Sequence, residues 1–452
     1  MSEMDKPMAT DGADSGERRL RVYSNTRLVG HLQEHNSLWE FAYAPAWVQA
    51  EDSWDLSPHI TRAAGRIRDG GTLRPVQWFF DNLLPEDRMR SAIAAKAAVP
   101  EADAFALLQY LGAESAGALL LLPEDAAMPQ AQGTQSLPEA QLNQRIRNMA
   151  RVPIATTGPK RMSLAGAQHK LLVQWDGAHL SEPLGATPST HILKPEHLSP
   201  DYPHSVMNEY TMMQLAARLG LDAPRVWRHY CPQPVYIVER FDRAVFLDLQ
   251  STSHTERLHI IDSCQLLNKA HTFKYAHATL DTLRAVVEST RNRLATRLAL
   301  FRWLLFNVLM GNHDNHLKNL SFMVDAQGLR MAPTYDLLST AVYHTEAFPS
   351  EGAKWPQIDL AIPLPRQPRF ADVTRQGLVD AGAALGLSAD MAQREIGAMA
   401  ARIGPELDAL ITTIAQENQS LPDNTRNFQD GELRLLRAIR HVIVADMLQR
   451  VA

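Results

Sequence analysis

Only two cysteines, Cys231 and Cys264, occur in 452 residues. That excludes a disulfide framework, and their spacing fits no metal site, so the chain suits a reducing compartment. Long apolar runs are equally scarce. The most apolar stretch, "LALFRWLLFNVLMG" at 298–311, is too short to span a bilayer and carries Arg302; a buried core helix is expected there. The polar start "MSEMDKPMATDGADSGERRL" has no apolar core for a secretory signal, so a cytoplasmic location without a membrane partner is expected. Basic charge is not in excess either. A net charge of −5 gives no electrostatic footprint for direct nucleic-acid binding. Also missing are G-x-x-x-x-G-K-[ST], G-x-G-x-x-G after a strand, G-x-S-x-G and H-E-x-x-H, which excludes the common nucleotide and hydrolase motifs in their usual form.

What is present, 45% apolar and 21% charged residues over a length beyond one core, fits a globular protein of two or three domains. Residues 1–18 are small, polar and turn-rich, the composition of a disordered tail. From 19 to 124 the text predicts an α+β unit. It opens with a hairpin about Ser24-Asn25-Thr26, continues with helices near 75–97 and 103–111, and ends with Gly112 as a helix cap before the buried strand "ALLLL". Residues 125–138, rich in Pro, Gln and Ala, read as a linker, with Ser136-x-x-Glu139 as a capping box for the next helix.

Across 139–245 the pattern predicts a hairpin turning at Asp176-Gly177, a strand "THILKP" and a helix capped by Ser205. A strand "QPVYIVERF" follows, with Val235 and Ile237 on one face and Tyr236 and Val238 on the other. From 246 to 452 a core helix at 294–310, a hairpin about 325–328 and a helical pattern beyond about 370 describe a mostly helical region.

One polar run concentrates the chemistry: "GNHDNHLKNLSFM", 311–323. His313, Asp314 and His316 suit a borderline cation, as in a metal-dependent phosphohydrolase, given further ligands from other helices. Alternatively the two histidines only hydrogen-bond and orient the loop. Phosphoryl transfer from ATP asks for more. It needs a carboxylate for the attacking hydroxyl, an amide a few residues on for Mg²⁺, a second metal carboxylate, and a lysine for the phosphates. Asp314-x-x-x-x-Asn319 supplies the first two at kinase spacing; Asp336 in "APTYDLLS" follows a hairpin, and Lys194 ends a strand upstream, with Glu209 on the next helix as a possible partner.

These motifs carry a resemblance. "FAYAPAWV", "PVQWFFDNLLPED", "LLQYLGAESAGALLLLP", "SLAGAQHKLLV", "HILKP", "NEYTMMQLAARLGL", "VERFDR", "GNHDNHLKNLSFM" and "APTYDLLS" together resemble the HipA-type serine/threonine kinases, toxins of bacterial toxin–antitoxin pairs. The resemblance implies a bilobal protein-kinase-like α+β fold with a small N-terminal α+β subdomain and a mostly helical C-lobe. It implies Asp314 as the catalytic aspartate, Asn319 and Asp336 as Mg²⁺ ligands, and Lys194 as the ATP-phosphate lysine. Glu239 and Phe241 fall on the hinge that holds adenine, mainly through backbone groups. Ala165, Gly166, Ala167 and Gln168 fall in a phosphate-binding loop, where small residues let backbone amides approach phosphates. Ser163 matches an autophosphorylated serine, whose phosphate would expel that loop. His316 and Lys318 are also placed at the ATP site, although Lys318 read alone is a structural or solvated lysine.

Further along, "IIDSCQ" has Ile261 where the family more often has an acid before Asp262. The implied cofactors are ATP and Mg²⁺. The implied partners are a small DNA-binding, HipB-like antitoxin, operator DNA mainly through it, and an aminoacyl-tRNA synthetase as substrate. A catalytically weak chain that works by holding its antitoxin is the other reading.

Overall fold

The computed structural model describes residues 17–112, 114–158, 168–247, 253–348 and 352–452. Alternation builds its first layer. In Arg18–Ser24, Leu20 and Val22 are buried at period two, and Leu20 lies opposite Leu32 of Arg27–His35 across a turn in which Asn25 takes φ +52°. These two strands sit in a five-stranded sheet ordered Arg66–Arg68, Leu38–Tyr43, Arg27–His35, Arg18–Ser24, Leu119–Pro123. Helices Pro75–Asp81 and Ala104–Leu111 pack on it through Phe41–Phe80 and Trp39–Phe105 ring contacts. Arg18 already belongs to this sheet, tied to Glu34 and Asp103, so the expected tail ends sooner than 18; residues 1–16 lie outside the described ones.

A six-stranded sheet follows, ordered Val226–Tyr230, Pro234–Glu239, His191–Pro195, Leu171–Trp175, Leu180–Gly185, Ala131–Ser136. Its two faces bury different partners. Val235 and Ile237 join Leu171, Val173 and Leu193 in a small core beneath helix Glu139–Asn148. Tyr236 and Val238 face helix Ser205–Arg218 and the main core, as the alternation predicts. Beyond the sheet, helix Arg293–Leu309 buries its second half almost all round, through Phe301, Trp303, Leu304 and Phe306. Helices Leu280–Glu288, Arg375–Ala384, Ala389–Asn418 and Ala445–Arg450 pack against it. A three-stranded sheet, Ile260–Asp262, Ser321–Asp325 and Gly328–Met331, forms the floor after the polar run. Among the described residues no helix is long and apolar enough to cross a membrane.

Some local expectations change. The segment read as a linker contains the edge strand Ala131–Ser136, whose residues are all exposed; backbone pairing to Leu180–Gly185 holds it, and that leaves no hydrophobic period to read. Ser136 therefore lies in a strand, and Pro138 occupies the N-cap position with no side-chain cap, so the capping box does not form. A different one does. Asp262 accepts from Gln265 N at 2.8 Å while Gln265 Oε1 accepts from Asp262 N at 2.9 Å. Ser205 is the first helical residue rather than the cap, which is His204 at φ +58°. The hairpin Arg243–Leu247 with Ser253–Arg257 was not expected from the sequence.

Candidate active site

Strand parity aims the lysine. In His191–Pro195, His191 and Leu193 turn to the face of the small core, so Lys194 turns to the other, opposite Tyr236 and toward helix Ser205–Arg218. Its Nζ lies 2.7 Å from Glu209 Oε1 and 2.5 Å from Asp336 Oδ1, which brings together three residues that are far apart in sequence. Burial opposes ionisation of Asp336, yet the Lys194 ammonium outweighs it and holds this carboxyl below its ordinary pKa. Glu209 is buried more deeply, and burial pushes its carboxyl up to about 7 against the pull of Lys194. Lys194 itself keeps its proton, because two carboxylates outweigh its burial. Asp336 takes φ +60°, a left-handed conformation that Asp tolerates better than most residues and that often marks a functional loop. Next to it, Tyr335 donates to Lys318 O at 2.6 Å, which docks the Asp336 loop on the polar run.

The polar run starts where helix Arg293–Leu309 ends, turning through Gly311 at φ +64°. Asn312 is buried, donates to Asn307 Oδ1 at 2.7 Å, and accepts from Asp314 N at 3.0 Å. His313 N donates to Thr340 Oγ1 at 2.8 Å. Held this way, the Asp314 side chain is exposed, and its Oδ1 accepts from the hydroxyl of Tyr275. Asn319 is buried and donates from Nδ2 to the Asp314 carbonyl at 3.1 Å, which leaves Oδ1 as its ligating atom. An amide oxygen and an ionised, partly solvent-facing carboxylate are hard oxygen donors that fit Mg²⁺.

Residues 162–406 match the family model for the HipA-like C-terminal domain, and residues 20–122 match that for the HipA N-terminal domain. The chain belongs to the HipA family. It is 38% identical over 341 residues to "Putative kinase Y4mE" of Sinorhizobium fredii, covering 72% of this chain and 78% of that one. It is 31% identical over 342 residues to "Serine/threonine-protein kinase toxin HipA" of Shewanella oneidensis, covering 72% and 76%. The solved complex of Shewanella oneidensis HipA with HipB and operator DNA superposes with a TM-score of 0.75 at 25% identity, over 95% of this chain and 99% of that one. The mixed architecture above is thus the HipA kinase-like α+β fold.

Within this HipA fold the other expected site residues fare differently. Ser163, Ala165, Gly166 and Ala167 lie outside the described residues; Gln168 is half-buried. Phe241 stacks obliquely on Tyr335 at 5.6 Å, beside Asp336, whereas the Glu239 carboxylate is held by Arg225 at 2.8 Å. Lys318 needs correction. Its Nζ donates to Asn82 O and Oδ1, both at 2.9 Å, and to Asp262 Oδ2 at 2.7 Å, so protein acceptors take all three donors. It is a buried structural lysine. His316 is pushed below the usual imidazole pKa chiefly by burial, and its ring meets Tyr275 edge-on at 4.9 Å. His313 is lowered by burial and then by His344, against which it packs at 5.3 Å. Among the described residues no three His, Cys, Asp or Glu side chains converge as a metal site, so the His313–Asp314–His316 reading finds no further ligands.

Two things escaped the sequence. Tyr275, inside "HTFKYA", carries no motif that announces a bond to Asp314. Lys170, at the end of the phosphate-loop motif, is a second ammonium near Lys194, pushed down to about 8 by burial and by that neighbour.

Proposed function

We propose that this chain is a Mg·ATP-dependent serine/threonine protein kinase, the toxin of a toxin–antitoxin pair. One observation carries the reading: Lys194 bound between Glu209 and Asp336, the latter on a loop whose Tyr335 donates to Lys318 O, next to Asn319. Lys194 is placed for phosphate oxygens, with Glu209 fixing its position. Asn319 Oδ1 and the Asp336 carboxylate would hold Mg²⁺, which supplies charge neutralisation on the phosphates. Asp314, with Oδ1 engaged by Tyr275, offers Oδ2 to a substrate hydroxyl. As the hydroxyl oxygen bonds to the γ-phosphorus, the bond to the bridging oxygen breaks. Its electron pair leaves with ADP, and the hydroxyl proton passes to Asp314.

The finer reading follows the family. The substrate would be an aminoacyl-tRNA synthetase, with translation and growth arrested as the outcome. Phosphate on Ser163 would add close to two negative charges to the phosphate loop and inactivate the enzyme. A HipB-like antitoxin would neutralise the chain and carry it to operator DNA, as the components of the Shewanella complex suggest. The net charge of −5 fits DNA contact through a partner. Both cysteines are free and buried, which suits the cytoplasm.

The test is incubation of cell extract with labelled Mg·ATP and either wild type or Asp314→Asn. Loss of the carboxylate should slow transfer by about 10²–10⁴-fold. Equal labelling of the same proteins by both forms would sink the assignment.

A further inference from the structure

The N-terminal unit grips the catalytic loop. Asn82 and Glu86, in "DNLLPED", are buried between helices Pro75–Asp81 and Asp87–Ala97. Asn82 accepts twice from Lys318, the residue just before Asn319, and donates from Nδ2 to Lys269 O at 2.9 Å. Glu86 builds a second line. Its Oε2 lies 2.6 Å from Lys274 Nζ, and its Oε1 lies 3.5 Å from Lys318 Nζ. Lys274 accepts from Leu317 N at 3.2 Å through its carbonyl and holds its ammonium 5.4 Å from the centre of the Tyr275 ring. The Tyr275 hydroxyl then donates to Asp314 Oδ1.

A buried carboxylate is a poor choice for stability alone, since a well-packed apolar residue fills the same space without desolvating a charge. Here burial works against Glu86 ionisation, and the ammonium groups of Lys318 and Lys274 outweigh it. Both lysines adjoin residues of the reacting site, one next to Asn319 and one next to Tyr275. Small errors in that site are expensive, because about 1 Å of misplacement can slow a reaction about 10²-fold.

We infer that Glu86 and Asn82 are positioning residues for phosphoryl transfer: Glu86 fixes Asp314 through Lys274 and Tyr275, and Asn82 fixes Asn319 through Lys318. The N-terminal unit thereby sets the geometry of a loop that begins more than two hundred residues later. The inference rests on the kinase reading above.

The test uses the full-length chain as wild type, Glu86→Gln, Tyr275→Phe and the double variant. Glu86→Gln is expected to lower kcat by about ten- to a hundredfold, with affinity for a fluorescent ATP analogue retained and the chain still folded by circular dichroism. The double variant should be no slower than the worse single one, because both changes break one line. A folded Glu86→Gln with the wild-type kcat overturns the inference, as does a double variant whose losses multiply. Should Glu86→Gln fail to fold, Tyr275→Phe decides, since it removes one hydroxyl from an exposed side chain; an unchanged kcat there overturns the inference as well. A wild-type chain that transfers no phosphate sinks the kinase reading and this inference with it. Transfer by wild type that Glu86→Gln leaves intact sinks the inference alone.

Discussion

Gly311 shows how narrowly the loop is drawn. With φ +64°, it turns the chain out of helix Arg293–Leu309, and a Cβ there would sit 2.8 Å from Ile443 Cγ2 and 3.1 Å from Ala341 Cβ. Gly311→Ala meets a left-handed backbone and a crowded site together, so a loss of about 1–3 kcal/mol is expected. Thermal denaturation checks this, and a melting temperature unchanged from wild type would contradict it. At this scale much was legible. Asp314 and Asn319 stand at a fixed local spacing, and the face of Lys194 follows from period-two alternation. Lys318 read alone as a structural or solvated lysine, but its partner Asn82 was not legible, because it is 236 positions away and no local pattern encodes that distance. Gly112 was legible only in part. It does end helix Ala104–Leu111, but with an ordinary φ of −63°; the glycine is needed because Leu121 O would lie 2.5 Å from a Cβ.

Between elements, charge does what apolar packing does elsewhere. Glu114, fully buried in "GAESAG", lies 3.4 Å from Arg240, 2.8 Å from Arg243 and 2.9 Å from Arg257. Asp242 completes the cluster, 2.7 Å from Arg240 and accepting from Gly117 N at 2.7 Å. "VERFDR" thus alternates roles: Glu239 pairs with Arg225 and Phe241 meets the Tyr335 ring, while Arg240, Asp242 and Arg243 lock the segment to the N-terminal unit. Periodicity could not separate these roles, since a buried ion cluster looks in sequence like a solvated charge run. Glu114→Ala leaves buried guanidinium groups short of a counter-charge and should cost about 3–5 kcal/mol in a denaturant titration. A change within the error of that titration would show that the arginines re-pair at no cost.

The same cluster sets an acid limit. Burial opposes ionisation of Asp242, but Arg240 and Arg243 prevail and hold its pKa at about 2, against 3.8 ordinarily. Because the folded value is the lower one, the stabilisation is complete above about pH 4 and is lost as pH falls toward 2. It amounts to about 2 kcal/mol. Asp242→Asn should therefore flatten the pH dependence of stability in that window; an unaltered slope would refute the assignment.

Taken whole, the molecule crosses the boundaries read at 124 and 245. The main core runs without interruption from Leu20 and Phe80 through Cys264 to Phe306 and Val451. Trp54 stacks on His259 at 3.9 Å, His259 Nε2 meets Leu56 O at 3.0 Å, and Gln265 donates to Phe79 O at 2.9 Å. Composition shifts mark where the chain changes local pattern, and they carry no information about which surfaces meet after folding. One set of residues stands apart: Leu137, Leu142, Ile146 and Met149 cover the far face of the six-stranded sheet as a separate small cluster.

Cooperativity should follow this division and not the sequence boundaries. The N-terminal unit and the helical region are expected to lose structure in one denaturant transition, because exposing either strips the other of apolar cover and parts Arg257 from Glu114 and Lys274 from Glu86. Helix Glu139–Asn148 is expected to exchange its amide hydrogens at lower free energy, since its small core can open without disturbing the large one. Native-state hydrogen exchange across a denaturant series distinguishes the cases. Exchange of Leu20, Phe306 and Leu436 amides should merge onto one isotherm while Leu142 and Ile146 open earlier. Separate isotherms for Leu20 and Phe306 would mean that the N-terminal unit can detach from a folded kinase. Glu86 would then be a removable clamp on Asp314, and a partner able to pull that unit away would silence phosphoryl transfer without unfolding the lobe that performs it.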